Sequence, residues 1–486
     1  VEPEAPPGGS IARNAASLLV ARGASAVVAF AFGIYVARTL GVAEFGRYSI
    51  LMAVYALLTI CVHLGLESLL VREMARSRSG TGRLFRAALA VKLSFAFLLL
   101  ALLILAGLVL PAARGFGLPL ALIGVVLILD AISDVVVAVF QAHESFTEPS
   151  GLGVAGGALF AAIGSALLLS GGRTTSLVAA LLAAKALQAA AGLALLARRL
   201  GPALRAASPV TPSFALGLLG MALPFFLSKL FAILYLRIDM LMLGGMAGEA
   251  PVGLYAAAYK FVNVASAGAA ALAAALFPVM AAAAARSPER LRALFGDSMK
   301  IMLVAGTLVS ALVWAGAERI LLGLFGAQYA GGAPAARILG WSIVVLFANL
   351  VFSNALLSLG RERQAVGIGA LALAVNVGLN LALIPSFGGA GAATATLASE
   401  LAVAAASAAL LARAGLLRLD AGSWGRFLLA AAALVAPMLV LRGAHVVLAA
   451  GAGALLYLAA LRLLRVLTAG DLLRLRRLLA SPGRAA

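Results

Sequence analysis

Residues 86–110 read RAALAVKLSFAFLLLALLILAGLVL and end at Pro111. Between Arg86 and that proline the one charged residue is Lys92. A helix crosses a bilayer with about 20 apolar residues, and this stretch exceeds that without a break. A barrel strand would need only about ten residues of alternating pattern, which this run does not show. In lipid each backbone N–H and C=O must be satisfied within the segment, so the stretch is a spanning helix.

The same signature recurs on both sides. Candidate spans lie at about 14–38, 46–66, 86–110, 118–140, 149–170, 174–197, 214–246, 251–282, 298–317, 334–357, 364–385, 390–412, 424–441 and 445–464. The breaks carry turn residues, among them Pro111, Gly171-Gly172, Pro251 and Gly331-Gly332. Every loop is short, so no soluble domain is inserted. Composition agrees: 64% of residues are hydrophobic, 11% are charged and the mean hydropathy is +1.09. A soluble domain carries about 25% charged residues, so a soluble enzyme, a disordered chain and a fibrous one are excluded. The single cysteine, Cys61, excludes a disulfide framework or a thiolate zinc site, and His63, His143 and His445 make no metal spacing. No metal and no cofactor is expected.

The fold class expected is therefore all-α integral membrane, with about 14 transmembrane helices. Residues 1–13 read as a cytoplasmic tail, 14–200 as an N-lobe of helices 1–6, 213–415 as a C-lobe of helices 7–12, and 424–467 as helices 13–14. Residues 468–486 read either as an amphipathic helix on anionic headgroups, with Leu472, Leu475 and Leu479 on one face, or as a solvated charged tail. The opening lacks a basic n-region and a small-residue cleavage site, so the first apolar stretch is expected to stay as a helix.

A net charge of +19 and a pI near 11.2 could signal nucleic acid. The placement of the charges says otherwise. With the N-terminus inside, 24 of the 37 Lys and Arg fall on the inner side and seven on the outer side (Arg38, Arg47, Arg114, Arg173, Arg319, Arg337, Arg442). That asymmetry orients a membrane protein with both termini cytoplasmic and no nucleic-acid partner. Ser287-Pro288-Glu289 reads as a helix start in an inner loop.

The chain also contains two similar halves. LGVAEFGRYSI follows the first span, with Gly41, Gly46 and Tyr48, and LGGMAGEAPVGLYAAA follows the seventh, with Gly244, Gly253 and Tyr255. The two Gly-x-Tyr copies stand 207 positions apart, with six spans in each half, so the repeat is parallel.

These residues resemble a known group. The opening, with Asn14, Ala37-Arg38, Leu40-Gly41 and Phe45-Gly46-Arg47-Tyr48, is similar to the first two helices of the polysaccharide transporter family. These are the oligosaccharide flippases of the multidrug/oligosaccharidyl-lipid/polysaccharide exporter superfamily. GLESLLVREMAR at 65–76 is similar to the family's basic inner segment. Residues 376–400, with Asn376, Asn380, Leu383-Ile384-Pro385, Gly388, Gly391-Ala392-Ala393, Thr396 and Ser399-Glu400, look like its helices eleven to twelve. The resemblance covers about 14–415. It implies a flippase that moves a polyprenyl-pyrophosphate-linked oligosaccharide by alternating access in a bacterial or archaeal cytoplasmic membrane. The implied partners are the lipid-linked anionic glycan, membrane lipids and a polysaccharide polymerase. Peptidoglycan-precursor flippases share this architecture, but their first helix usually carries a Ser-Arg and a Gly-Phe-x-Arg-Asp stretch that this chain lacks.

Charges inside the spans are the unusual feature, because each costs roughly 2.5–3.5 kcal/mol at a helix centre. Arg22 lies about 12 Å into span one, Lys229 about 22 Å into span seven and Lys260 about 14 Å into span eight. Lys229 and Arg237 share a helical face. These four cations are the candidate substrate-binding residues, since guanidinium and ammonium groups match pyrophosphate oxygens. Asp130 and Asp134 share a face and, with Lys92, are the candidate ion-pair cluster between spans three and four. Lys185 and Glu400 either face one interior or serve separate local networks, and Asp239 either pairs with Arg237 or takes a proton. A cationic interior favours an anionic cargo; a cation-coupled multidrug or small-molecule exporter of the same superfamily would show an excess of acids. An enzyme would need a large outer loop or an acidic metal motif, and the sequence offers neither. Reporter fusions test the topology: Ser79 is expected to read cytoplasmic and Gly331 periplasmic, and the opposite pattern overturns it.

Overall fold

The computed structural model describes residues 8–77, 80–113, 115–145, 147–205, 209–417, 421–440 and 446–466, with backbone alone for 8–26, 112, 200, 202–205, 228, 421–424 and 446–447. Residues 1–7 of the expected tail and all of 468–486 lie outside the described residues. The chain divides into two compact units, Val1–Arg237 and Ile238–Ala486.

The first unit opens with α1 (Gly8–His63), which holds two spans joined by a bend at Gly41. A left-handed turn at Leu64 and Gly65 ends it, and α2 (Leu66–Arg76) follows. This short helix buries Leu66, Leu69, Leu70 and Met74 on one stripe and leaves Arg72 and Arg76 outside. Four spans succeed it: α3 (Thr81–Val109), α4 (Gly117–Ala142), α5 (Thr147–Leu169) and α6 (Thr174–Arg205). The next helix, α7 (Pro212–Ala247), runs across the division between the units and contains Pro224. Within the first unit α4 is central and packs against α1, α2, α3 and α6.

The second unit continues from the end of α7 into α8 (Glu249–Arg286), α9 (Pro288–Phe325), a 3-10 turn at Ala327–Gly332, α10 (Ala333–Ser358) and α11 (Glu362–Arg413). Ser287 caps α9, its hydroxyl accepting from the Arg290 N–H at 3.1 Å, as the sequence implies. The helix α11 again holds two spans, bent at Gly388 three residues after Pro385. The last pair, α12 (Ala421–Val440) and α13 (Val446–Leu463), packs together and against α9. Central in this unit is α10, packed on α8, α9 and α11. Both α4 and α10 are the fourth span of their half, so the duplication seen in sequence extends to packing.

Among the described residues this makes fourteen apolar helical segments: α1 and α11 give two each, and every other helix except α2 gives one. Ten helical stretches are long and apolar enough to cross a membrane, and α12 and α13 add shorter apolar helices. The protein is an all-α, multi-pass membrane protein. Helices turn small residues toward their neighbours and large ones toward lipid. On α3, Ala87, Ala88 and Ala96 are buried while Leu98, Leu102, Leu105 and Leu108 are exposed.

The repeat is sharpest at two glycines. Gly41 has φ 75 and ψ 177, and Gly248, at the head of α8, has φ 88 and ψ −174. They stand 207 positions apart, like Gly46 and Gly253 or Tyr48 and Tyr255. Gly244, matched to Gly41 on sequence, lies inside α7 instead. This conformation is almost restricted to glycine, because a Cβ would strain the backbone by about 1–3 kcal/mol. A Cβ at either position would meet nothing within 4 Å, so the strain acts alone. Gly41→Ala and Gly248→Ala are each expected to destabilise the protein by about 1–3 kcal/mol in detergent thermal unfolding. Gly217→Ala, at a helical and equally open position, is expected to be neutral or to gain up to about 1 kcal/mol.

Candidate functional site

The polar interior of the first unit is built on α4. Asp130 and Asp134 lie one turn apart and are both buried. From α3 comes Lys92, with no exposed surface, which donates to Asp134 and forms an ion pair with it. His63, at the end of α1, places Nε2 4.0 Å from the other Asp134 oxygen. Asp130 accepts from the Tyr55 hydroxyl at 2.5 Å and from Lys185 Nζ, on α6, at 2.7 Å. A third pair sits where α2 meets α7: Lys229 Nζ donates to Glu67 Oε2 at 3.2 Å.

Three lysines in this interior are thus matched by three carboxylates. Their exposure is graded. The lysine side chains of the Lys92, Lys185 and Lys229 pairs are 0%, 25% and 37% exposed, and the matching carboxylates 8%, 5% and 32%. Only the Lys229 pair is open on both sides.

The second unit is arranged differently. Asp239 on α7 is buried and accepts from the Tyr255 hydroxyl and from the Met240 N–H at 2.7 Å. Tyr255 lies 3.3 Å from the Thr396 hydroxyl on α11. Asn376 and Asn380 are buried one turn apart, with Asn380 Nδ2 donating to Asn376 Oδ1 at 2.9 Å. Asn349 on α10 donates to Glu400 Oε2 at 2.6 Å. Lys260 is half-buried on α8. Arg237 is half-buried on α7, and its buried Nε has no hydrogen-bond partner among the described residues. The side chain of Arg22 lies outside the described residues. Lys185 donates to Asp130 in the first unit, and Glu400 accepts from Asn349 in the second. No group of three or more His, Cys, Asp or Glu that could hold a metal occurs among the described residues.

The repeat frame adds a relation. Arg22 and Lys229 are separated by the same 207 positions as the paired glycines, so they occupy equivalent places in the two halves. By that offset Asp239 corresponds to Phe32, which packs edge-on against Phe160 with ring centroids 5.2 Å apart. The acid is present in one half only.

Sequence reasoning did not single out Tyr55, Glu67 or Asn349 and took His63 only as a residue without metal spacing. Each of the four is a polar group whose partner lies on a distant helix. The one available signal was polarity inside an apolar run, or in Glu67 an acid at the seam between a span and a basic helix.

The sequence pattern of the polysaccharide biosynthesis proteins matches residues 11–284, more than half of the chain. The chain belongs to that family. The MatE pattern matches residues 224–382 within the same chain. No curated protein matches the chain by sequence. Among solved structures, the lipid II flippase MurJ in an inward closed conformation is similar with a TM-score of 0.77 at 10% identity, over 91% of this chain and 97% of that one. An inward-facing multidrug resistance MATE family transporter of the MOP superfamily gives 0.67 at 16% identity, over 81% and 94%. A Vibrio cholerae MATE transporter gives 0.53 at 16% identity, over 84% and 97%. The fold of this family member is therefore the one that these solved flippases and transporters share.

The buried pair yields a stability prediction. Removing one partner of a buried ion pair costs about 3–5 kcal/mol, because the other charge is left uncompensated. Asp134→Asn is expected to lose about that amount in detergent thermal unfolding, whereas Lys92→Met combined with Asp134→Leu should recover most of it. Equal losses in the single and double variants would show that the charges are not coupled.

Proposed function

We propose that this family member moves a polyprenyl-pyrophosphate-linked oligosaccharide across the cytoplasmic membrane by alternating access, for surface polysaccharide biosynthesis. The observation that carries the reading is the family match over residues 11–284, which contains all the candidate cargo cations: Arg22, Lys229, Arg237 and Lys260. A diphosphate offers several acceptor oxygens, and the charged donors Arg and Lys suit it. The equivalence of Arg22 and Lys229 in the repeat supports a cation contributed by each half. Lys229 is paired with Glu67 in a half-open ion pair, of a kind worth about 0–1 kcal/mol, so an incoming anion can replace that carboxylate.

In this reading Lys92 with Asp134 and Lys185 with Asp130 hold the first unit together, and Asp239 and Glu400 are the candidate coupling carboxylates of the second. The membrane is bacterial or archaeal, both termini are cytoplasmic and a polysaccharide polymerase takes over the delivered glycan.

A cation-coupled small-molecule exporter is the second reading. What favours it is the MatE match at 224–382, which contains the buried carboxylate of Asp239. A peptidoglycan-precursor flippase is a variant of the first reading, supported by the likeness in fold to MurJ. One experiment separates the three. Deletion is expected to leave undecaprenyl-linked glycan in the inner leaflet; accumulation of lipid II points to the precursor, and sensitivity to cationic drugs with normal surface glycan points to the exporter.

The site has its own test. Arg22→Gln, Lys229→Gln and Lys260→Gln should each remove a charge-assisted contact worth about 1.5–3 kcal/mol and lower transport, with protein level and thermal stability nearly unchanged. Arg22→Lys should rescue in part, since an ammonium cannot reproduce the planar fork. Full surface glycan in all three glutamine variants would refute the site.

A further inference from the structure

We propose that the cavity where α9, α10, α12 and α13 meet is a binding site for a singly charged glycerophospholipid, whose phosphodiester meets Arg319 and Arg337 while a chain lies along the apolar wall. This holds whichever cargo the protein moves.

The cavity lies in the second unit and encloses about 340 Å³, within the range of roughly 300–1,000 Å³ that small-molecule sites occupy. Its walls differ in chemistry. Glu318 and Arg319 come from α9 and Arg337 from α10, and they make a charged side. Met438 and Leu439 near the end of α12, with Ala449 near the start of α13, make an apolar side. The seam that leads to the cavity is filled. Ala311 of α9 shares a core with Leu434 of α12 and Tyr457 of α13, and the Tyr457 hydroxyl donates to the Val304 carbonyl at 3.3 Å. Ala315, one turn further along α9, still packs on that core and already lines the cavity. The last helix pair is thus joined to α9 by packed side chains over one stretch and stands off from it over the next.

Two tryptophans give the depth. Indoles favour the headgroup level of a bilayer. Trp314 of α9 lines the cavity, and its ring centroid lies 6.1 Å from that of Trp341 on α10, which is exposed. Glu318 stands four residues after Trp314, and Arg337 four residues before Trp341. On both helices the charge therefore lies one turn, about 5 Å, nearer the connection between them than the indole does. A phospholipid presents the same order, with its phosphate outside its ester groups and chains.

Charge selects the headgroup. Arg337 Nη2 donates to Glu318 Oε2 at 3.3 Å, with both side chains exposed. Such a pair is weak and uses one of the five donors of the guanidinium. Among the described lining residues two guanidiniums stand against one carboxylate, an excess of one positive charge. A phosphodiester monoanion balances that excess, a zwitterionic headgroup leaves it and a diphosphate exceeds it. Guanidinium forks also fit phosphate oxygens better than an ammonium does. The apolar wall calls for a chain, since inorganic phosphate would leave Met438 and Leu439 uncovered.

The test follows thermal unfolding of the purified full-length protein in detergent during separate titrations of phosphatidylglycerol, phosphatidylcholine, glycerol 3-phosphate and farnesyl diphosphate. Phosphatidylglycerol is expected to raise the midpoint saturably, and more than phosphatidylcholine or glycerol 3-phosphate. Arg319→Gln combined with Arg337→Gln should lower the apparent phosphatidylglycerol affinity about tenfold or more and leave the phosphatidylcholine response unchanged. Glu318→Gln, which removes a competing carboxylate, should raise that affinity. Ala449→Phe, which fills the cavity from its apolar side with every charge intact, should lower it. An unchanged phosphatidylglycerol response in the double arginine variant overturns the site. A glycerol 3-phosphate response as large as that of phosphatidylglycerol makes it a plain anion site and overturns the lipid. Arginine substitutions that weaken farnesyl diphosphate more than phosphatidylglycerol give the site to a diphosphate and likewise overturn the assignment. Should the double variant fail to fold, each single arginine variant carries the same expectation; failure of these too makes the arginines structural and overturns the proposal.

Discussion

Lys92 has no exposed surface and sits against Asp134, and that ion pair governs how the first unit is put together. A charge taken into lipid alone costs several kcal/mol, so the lysine of α3 and the carboxylate of α4 tie those two helices to each other. One turn away Asp130 draws Lys185 from α6 and the Tyr55 hydroxyl from α1. The two carboxylates on α4 thus gather polar groups from α1, α3 and α6. Lipid supplies little hydrophobic drive between helices, which gives such contacts, together with small-residue packing, the task of choosing neighbours.

The two halves share a backbone frame and differ in what fills it. Gly41 and Gly248 adopt the same glycine-only conformation, and α4 and α10 hold the same central place. Inside that frame the chemistry diverges. At the position of Asp239 the first half carries Phe32, packed on Phe160, and the counterpart of Tyr255 is Tyr48, stacked near Phe45. Bends that no side chain permits are narrowly constrained, whereas an interior position accepts any group whose partner is also present.

This division bears on the proposed transport. A machine that carries an anion needs cations that can let go of one partner and take another. Lys92 is buried with its acid, while Lys229 stands in an open pair and, in the proposed reading, exchanges its partner. Exposure decides this, since water and ligand both weaken an open pair by screening and competition. The lysine pairs of the first unit thus form a series graded from buried to open, which the proposed reading takes as scaffold to exchangeable contact.

Much of this was legible in the residues alone. The long apolar runs, the turn residues between them and the Gly-x-Tyr copies determine an all-helical membrane protein with a repeat, because lipid leaves the backbone one way to satisfy itself over such lengths. The seven charged residues Lys92, Asp130, Asp134, Lys185, Lys229, Asp239 and Glu400 could be recognised as requiring partners, because the cost of a charge in lipid depends on the residue type and its depth. Which partner each one takes was decided by the tertiary structure. Lys229 meets Glu67 from a helix 162 positions earlier, Lys185 meets Asp130 where Glu400 lay at a similar depth, and Asp239 meets Tyr255 while Arg237 lies two residues away on the same helix. Gly248 replaces Gly244 as the counterpart of Gly41 for the same kind of reason, since backbone conformation is a property of the folded turn. Sequence gives the depth of a charge along its own helix; rotation about that helix and the identity of the neighbour come only from packing, and a pair needs all three.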